Sequence, residues 1–147
     1  MTQVPILRRP DWTQEFILQT DASAMGLGAV LAQKKNGAEY VVAYLSRGTR
    51  GAEQSYESYK LECLAVIWAV EKFHYYLAGR HFTIQTDHSA LTWLLTTSEP
   101  KGIYARWIMK LQAYNATITH RPGRTNANAD ALSRMLQRTQ PPYNYHE

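Results

Sequence analysis

The chain has a single cysteine, Cys63, among its 147 residues. One cysteine excludes an internal disulfide and any cysteine-rich zinc site, and it points to a reducing, intracellular setting. No apolar run approaches the length of a membrane span, so no membrane partner is expected. The first residues lack the basic-then-apolar pattern of a secretion signal. Low-complexity segments and a second domain's worth of elements are also missing. What is there is 45% hydrophobic, enough for one domain with a real core. The formal net charge of +4 is compatible with a polyanionic partner, although many domains with no such partner carry as much.

The most informative feature is a hexapeptide that occurs twice with one change: Gln-Thr-Asp-Ala-Ser-Ala from Gln19 and Gln-Thr-Asp-His-Ser-Ala from Gln85. Each copy closes a run that alternates like a β-strand, Phe16 to Thr20 and His81 to Thr86. Aspartate is depleted in strands. Two strands that end in Asp21 and Asp87 could place two carboxylates at one sheet edge, where they would repel unless a cation lay between them. A divalent metal is the obvious candidate.

The remaining pattern supplies the elements. Residues 1–12 show no period and read as a linker or the cut end of a larger chain; 13–137 read as the domain and 138–147 as a flexible tail. Strands are expected at 16–20, 26–33 and 39–46, with Asn36-Gly37 as a tight hairpin turn, so the opening is an antiparallel meander. A long helix is expected over 52–77, with Tyr59, Val66, Val70, Phe73 and Leu77 on one face and Gly79 as its stop. A crossover of that length makes the fourth strand, 82–86, parallel to an earlier one. Helices at 89–95, 104–112 and 128–136 and a fifth strand at 115–120 complete the reading.

Two more carboxylates join the strand ends. Glu62 falls on the apolar face of the long helix and is its only charged residue. Alone it reads as a half-exposed glutamate at the core edge. Beside two strand-end aspartates it reads as a ligand, because burying an unpaired carboxylate costs several kcal/mol, roughly, and a metal would compensate all three charges. Asp130 sits in the first turn of the last helix, where the dipole alone favours an acid but also keeps it ionised. Four such carboxylates suit a two-metal phosphodiester site. His120, ten residues before Asp130, reads as a surface loop histidine or, in a nuclease, as a proton shuttle.

These residues, taken in order, resemble the ribonuclease H domain of reverse transcriptases, specifically those of gypsy-type LTR retrotransposons. The resemblance runs from about Pro10 to Met135. It is carried by Leu18 to Ser23 with Gly26 to Leu31, Tyr44 to Arg47, Glu62 to Val66, and Thr86-Asp87-His88. Ala105-Arg106-Trp107, His120 to Gly123, and Asn126 with Ala129 to Arg134 complete it. It implies an α/β, ribonuclease H-like fold: a five-stranded mixed sheet, the first three strands antiparallel and the first and fourth parallel, flanked by helices. It implies that Asp21, Glu62, Asp87 and Asp130 hold two Mg²⁺ ions, with Mn²⁺ as a substitute, and that His120 is a mobile-loop histidine shaped by Asn126.

The reaction implied is hydrolysis of the RNA strand of an RNA–DNA hybrid during reverse transcription, leaving 3′-OH and 5′-phosphate ends. Partners implied are that hybrid and a polymerase domain in the same polyprotein, with the isolated domain a monomer. The location implied is the cytoplasm within a virus-like particle, or the nucleus, and not the secretory route. Substrate contacts are expected from Ser23, Ser58, Tyr59 and Ser89 toward the 2′-hydroxyl-lined groove and from Arg47 and Arg121 toward phosphate. Cellular relatives favour amides at the serine positions and often carry a basic handle. Here the equivalent stretch has only Lys101, so weak, salt-dependent hybrid binding is expected. A catalytically silent or domesticated nucleic-acid-binding module is the alternative, although degeneration usually removes a ligand and all four carboxylates are present. A transposase or integrase on the same fold would commonly place Glu at the last position, where this chain has Asp130.

Overall fold

The computed structural model describes residues 6–86, 90–97 and 100–120. The chain opens with strands β1 (Phe16–Ala22), β2 (Gly26–Lys35) and β3 (Ala38–Gly48), paired antiparallel in sequence order. The β2–β3 turn has positive φ at both central residues, Asn36 (54°) and Gly37 (82°), the geometry that follows strand twist and that Asn-Gly adopts cheaply. A register shift between Leu31 and Ala32 leaves Val42 of β3 as the extra residue of a bulge opposite β2.

The expected helix over 52–77 is three pieces: a 3₁₀ turn (Gly51–Ser55), α1 (Ser58–Lys72) and α2 (His74–Leu77). The carboxylate of Glu53 closes the first turn on its own, accepting the Arg50 N–H at 2.9 Å and the Arg47 guanidinium at 2.8 Å. Tyr56 and Glu57 then run extended, so the helix restarts at Ser58. It breaks at Phe73 (φ −95°, ψ 19°), whose N–H still reaches the Ala69 carbonyl at 2.9 Å. The predicted single apolar face is also corrected. Every residue from Leu61 to Val70 except Leu64 is buried, because α1 lies between the sheet and helices α3 (Ala90–Thr96) and α4 (Ile103–Gln112). A helix covered on both sides carries no narrow stripe to read.

Strand β4 (His81–Thr86) runs parallel to β1, and β5 (Asn115–His120) runs parallel to β4, giving the sheet order β3-β2-β1-β4-β5. A parallel fourth strand is as expected from the crossover, and the mixed sheet with β1 and β4 as parallel neighbours is as the resemblance implied. Phe16, Leu18, Leu31, Phe73, Phe82 and Ile84 pack with α1 in the main core, while Ile17, Val30, Ala32 and Tyr44 form a smaller cluster of their own.

Part of the stretch read as a linker is bound to this sheet. Ile6 bridges Ala43, and the Leu7 N–H donates to the Val42 carbonyl at 2.8 Å. Gln33, fully buried, accepts from the Asp11 N–H (2.9 Å) and the Tyr40 hydroxyl (2.7 Å) and donates to the carbonyls of Asp11 (2.8 Å) and Gln14 (3.2 Å). Four bonds saturate an amide. Trp12 stacks on Tyr76 at 5.7 Å. Replacing Gln33 with Leu keeps the volume and strands these partners, so urea unfolding should show a loss of about 2 kcal/mol. A neutral result would mean that water replaces the amide.

Candidate active site

The first residues of the twin hexapeptides meet side by side. Parallel pairing sets Gln19 opposite Gln85, and the Gln19 side-chain amide donates to Gln85 Oε1 and to Glu39 Oε1, both at 3.0 Å. Two residues further along each chain come Asp21 and Asp87. Asp21 is half-buried near the end of β1, opposite Gly28 of β2, and its Oδ1 accepts the Ala22 N–H at 3.0 Å.

Glu62 approaches from the second turn of α1. It is only 6% exposed, and its Oε1 accepts a hydrogen bond of 3.1 Å from the hydroxyl of Thr86, itself 1% exposed. Its neighbour Cys63 has its thiol pushed up to about 12, first by burial and then by the charge of Glu62. The Thr86 backbone pairs with His120, the last residue of β5. The same sheet edge therefore receives Asp21, the Thr86–Glu62 pair and the His120 backbone. His120 closes the fifth strand, which spans 115–120 as expected.

Asp87, Ser89, Arg121, Asn126 and Asp130 lie outside the described residues. Among the described residues no three His, Cys, Asp or Glu side chains gather as a metal group. The donors present, carboxylate oxygens of Asp21 and Glu62, are of the hard type that suits Mg²⁺ or Mn²⁺ and not a thiol-seeking metal.

The expected substrate contacts divide. Arg47 makes structural contacts: its side chain is 8% exposed, its guanidinium spans both Glu53 oxygens (2.8 and 3.1 Å) and the Gly48 carbonyl (2.9 Å), and it lies 5.8 Å from the Trp68 ring. Ser23 holds the β1–β2 loop, its Oγ accepting the Met25 and Gly26 N–H groups at 3.2 Å each. Ser58 is exposed at the start of α1 and open to a ligand. Tyr59 is hydrogen-bonded to Tyr104, whose hydroxyl is pushed up to about 12, chiefly by burial and next by that bond. Lys60, passed over in the sequence reading, lies over the Tyr56 ring at 4.1 Å and faces Tyr104 at 5.7 Å. Nothing in the spacing marks it, since the Tyr104 ring arrives from another helix. The sequence did carry a signal for the glutamine and threonine contacts: both precede the aspartate in each hexapeptide.

Arg47→Ala should cost about 2–3 kcal/mol of stability and leave hybrid affinity nearly unchanged; a lost affinity with intact stability would return Arg47 to the substrate. Hydrogen bonding to Arg47 holds the Glu53 carboxyl below its usual range. Its stabilising share is therefore present above the ordinary glutamate value and lost as pH falls through the depressed one. Acid titration of Arg47→Ala should show a shallower loss there. Cys63 should resist a thiol reagent at mildly alkaline pH until the protein is denatured.

Comparison with known proteins agrees with this architecture. Residues 11–114 match the family model described as an RNase H-like domain found in reverse transcriptase. The retrovirus-related Pol polyprotein from transposon 297 of Drosophila melanogaster is 42% identical over 131 residues, 89% of this chain and 12% of that polyprotein. The corresponding polyprotein from transposon gypsy of the same fly is 38% identical over 131 residues, 88% of this chain and again 12% of the relative. The chain thus spans about an eighth of the length of these relatives. Among solved structures, LC11-RNase H1 in complex with an RNA/DNA hybrid superposes with a TM-score of 0.56 at 19% identity, covering 80% of this chain and 93% of the other, a likeness of fold. With its strand order, its twin strand ends and relatives among gypsy-type Pol polyproteins, this chain belongs to the family of RNase H-like domains found in reverse transcriptases.

Proposed function

We propose that this domain is a divalent-metal-dependent endoribonuclease that cleaves the RNA strand of RNA–DNA hybrids, acting beside a polymerase domain of the same polyprotein. The observation that carries the reading is Glu62: an acid 6% exposed, on a helix covered on both sides, held by a hydroxyl from the strand that leads to Asp87. A buried carboxylate is costly. Its place beside the end of β1 is accounted for if Asp21, Glu62, Asp87 and Asp130 bind cations together. Bound there, a pair of Mg²⁺ ions would supply activation of an attacking water and charge stabilisation at the leaving oxygen.

The chain's own residues do the rest. Asp21 is carried by β1 and Glu62 by the crossover helix, and Asp87 follows β4 in the sequence; donors held on such elements would be ordered before substrate arrives. Ser58, exposed at the start of α1, can hydrogen-bond a 2′-hydroxyl in the wide minor groove of a hybrid. In this reading His120, at the end of β5, would move a proton on product departure.

The test is cleavage of a labelled hybrid with Mg²⁺ by wild type, Asp87→Asn and Glu62→Gln. Each substitution should lower the rate about 100-fold or more with hybrid still bound, and that binding should weaken steeply as salt rises. Equal cleavage by wild type and Asp87→Asn would remove Asp87 from the mechanism. Binding without cleavage by wild type would make the domain a nucleic-acid-binding module.

A further inference from the structure

We infer that Thr86 is a positioning residue for the metal site, acting through Glu62; this rests on the proposed metal-dependent reading. Thr86 is the last residue of β4, between Gln85, which is tied to β1, and Asp87. Its hydroxyl donates to Glu62 Oε1 at 3.1 Å, and both side chains are buried. A glutamate has three side-chain torsions, and leaving them loose inside a site costs ordering entropy each time a cation binds. A hydroxyl on one carboxylate oxygen fixes the rotation of the other. Thr86 suits the task because a β-branched side chain is stiff at χ1. Its own backbone is clamped on the β5 side by pairing with His120. The bond also runs in a water-poor setting, where it is electrostatically stronger than at the surface.

The arrangement links two of the expected ligands mechanically. Glu62 belongs to α1 and Asp87 follows β4, and Thr86 is the side chain that joins helix to strand end. Any drift of α1 relative to β4 would have to stretch this bond. Thr86 itself offers no oxygen to the cation in this role. It orders a ligand that does.

The experiment compares Thr86→Val, which keeps the shape and removes the donor, with Thr86→Ser, which keeps the donor. Mg²⁺ affinity is measured by titration calorimetry on folded protein, checked by circular dichroism. Hybrid cleavage is then followed as a function of Mg²⁺ concentration. Thr86→Val should bind Mg²⁺ about 10-fold more weakly, with cleavage recovering toward the wild-type rate as Mg²⁺ is raised. Thr86→Ser should stay close to wild type in both. Should Thr86→Val not fold, Thr86→Ala, which relieves the methyl crowding, takes its place in the same measurements. Mg²⁺ binding by Thr86→Val equal to or tighter than wild type overturns the inference, as does a Thr86→Ser as impaired as Thr86→Val. A wild-type protein that binds no Mg²⁺ overturns the proposed function, and this inference falls with it.

Discussion

The whole site depends on β1 and β4 lying parallel and in register. Parallel neighbours cannot be joined by a tight turn, so the chain must leave the sheet after β3, cross one face as a helix and return. That crossover is α1, and it brings Glu62 to the sheet. The register is sutured inside the sheet by the amide of Gln19, which donates to both Gln85 and Glu39. A one-residue slip in this pair would turn one hexapeptide's side chains to the opposite face and separate the strand-end acids. The parallel pair therefore sets where Asp21 and the Thr86–Glu62 bond lie relative to one another.

Burial then sets the electrostatics. Glu62 lies in a helix packed on both sides, and burial, reinforced by the Glu62 charge, keeps the neighbouring Cys63 thiol protonated. A charge in that position is stabilised by directed groups or not at all. The structure provides one such group in Thr86, contributed by the strand whose next residue is Asp87. By contrast, Arg47 and Glu53 satisfy one another next to Trp68, and their pairing organises the 3₁₀ turn that delays the start of α1 to Ser58. The same residue types thus serve the scaffold at one place and the proposed chemistry at another, according to which partner is within reach.

The segment before β1 shows how contacts assign meaning to a sequence with no period. Residues 6–12 carry two exposed arginines and a proline, yet Ile6 and Leu7 extend along β3 and Gln33 holds the backbone of Asp11. Periodicity could not find this, because a strap is held by a few hydrogen bonds and one stacked ring, not by a repeating apolar face.

The sequence by itself determined the element types, the Asn36-Gly37 hairpin and the carboxylates worth following. These are local matters: strand alternation, a turn that needs positive φ, and acids placed where strands and helices seldom keep them. The repeated Gln-Thr before each aspartate was legible too, though not its purpose. Tertiary structure decided the rest. It split the long helix, buried α1 on both sides, committed Arg47 to Glu53 and joined Thr86 to Glu62. The burial of α1 and the Thr86–Glu62 bond turn on elements far apart in sequence meeting in space, while Arg47 and Glu53, six residues apart, meet across the 3₁₀ turn. A side chain's partner, unlike its periodicity, exists only once the chain has folded.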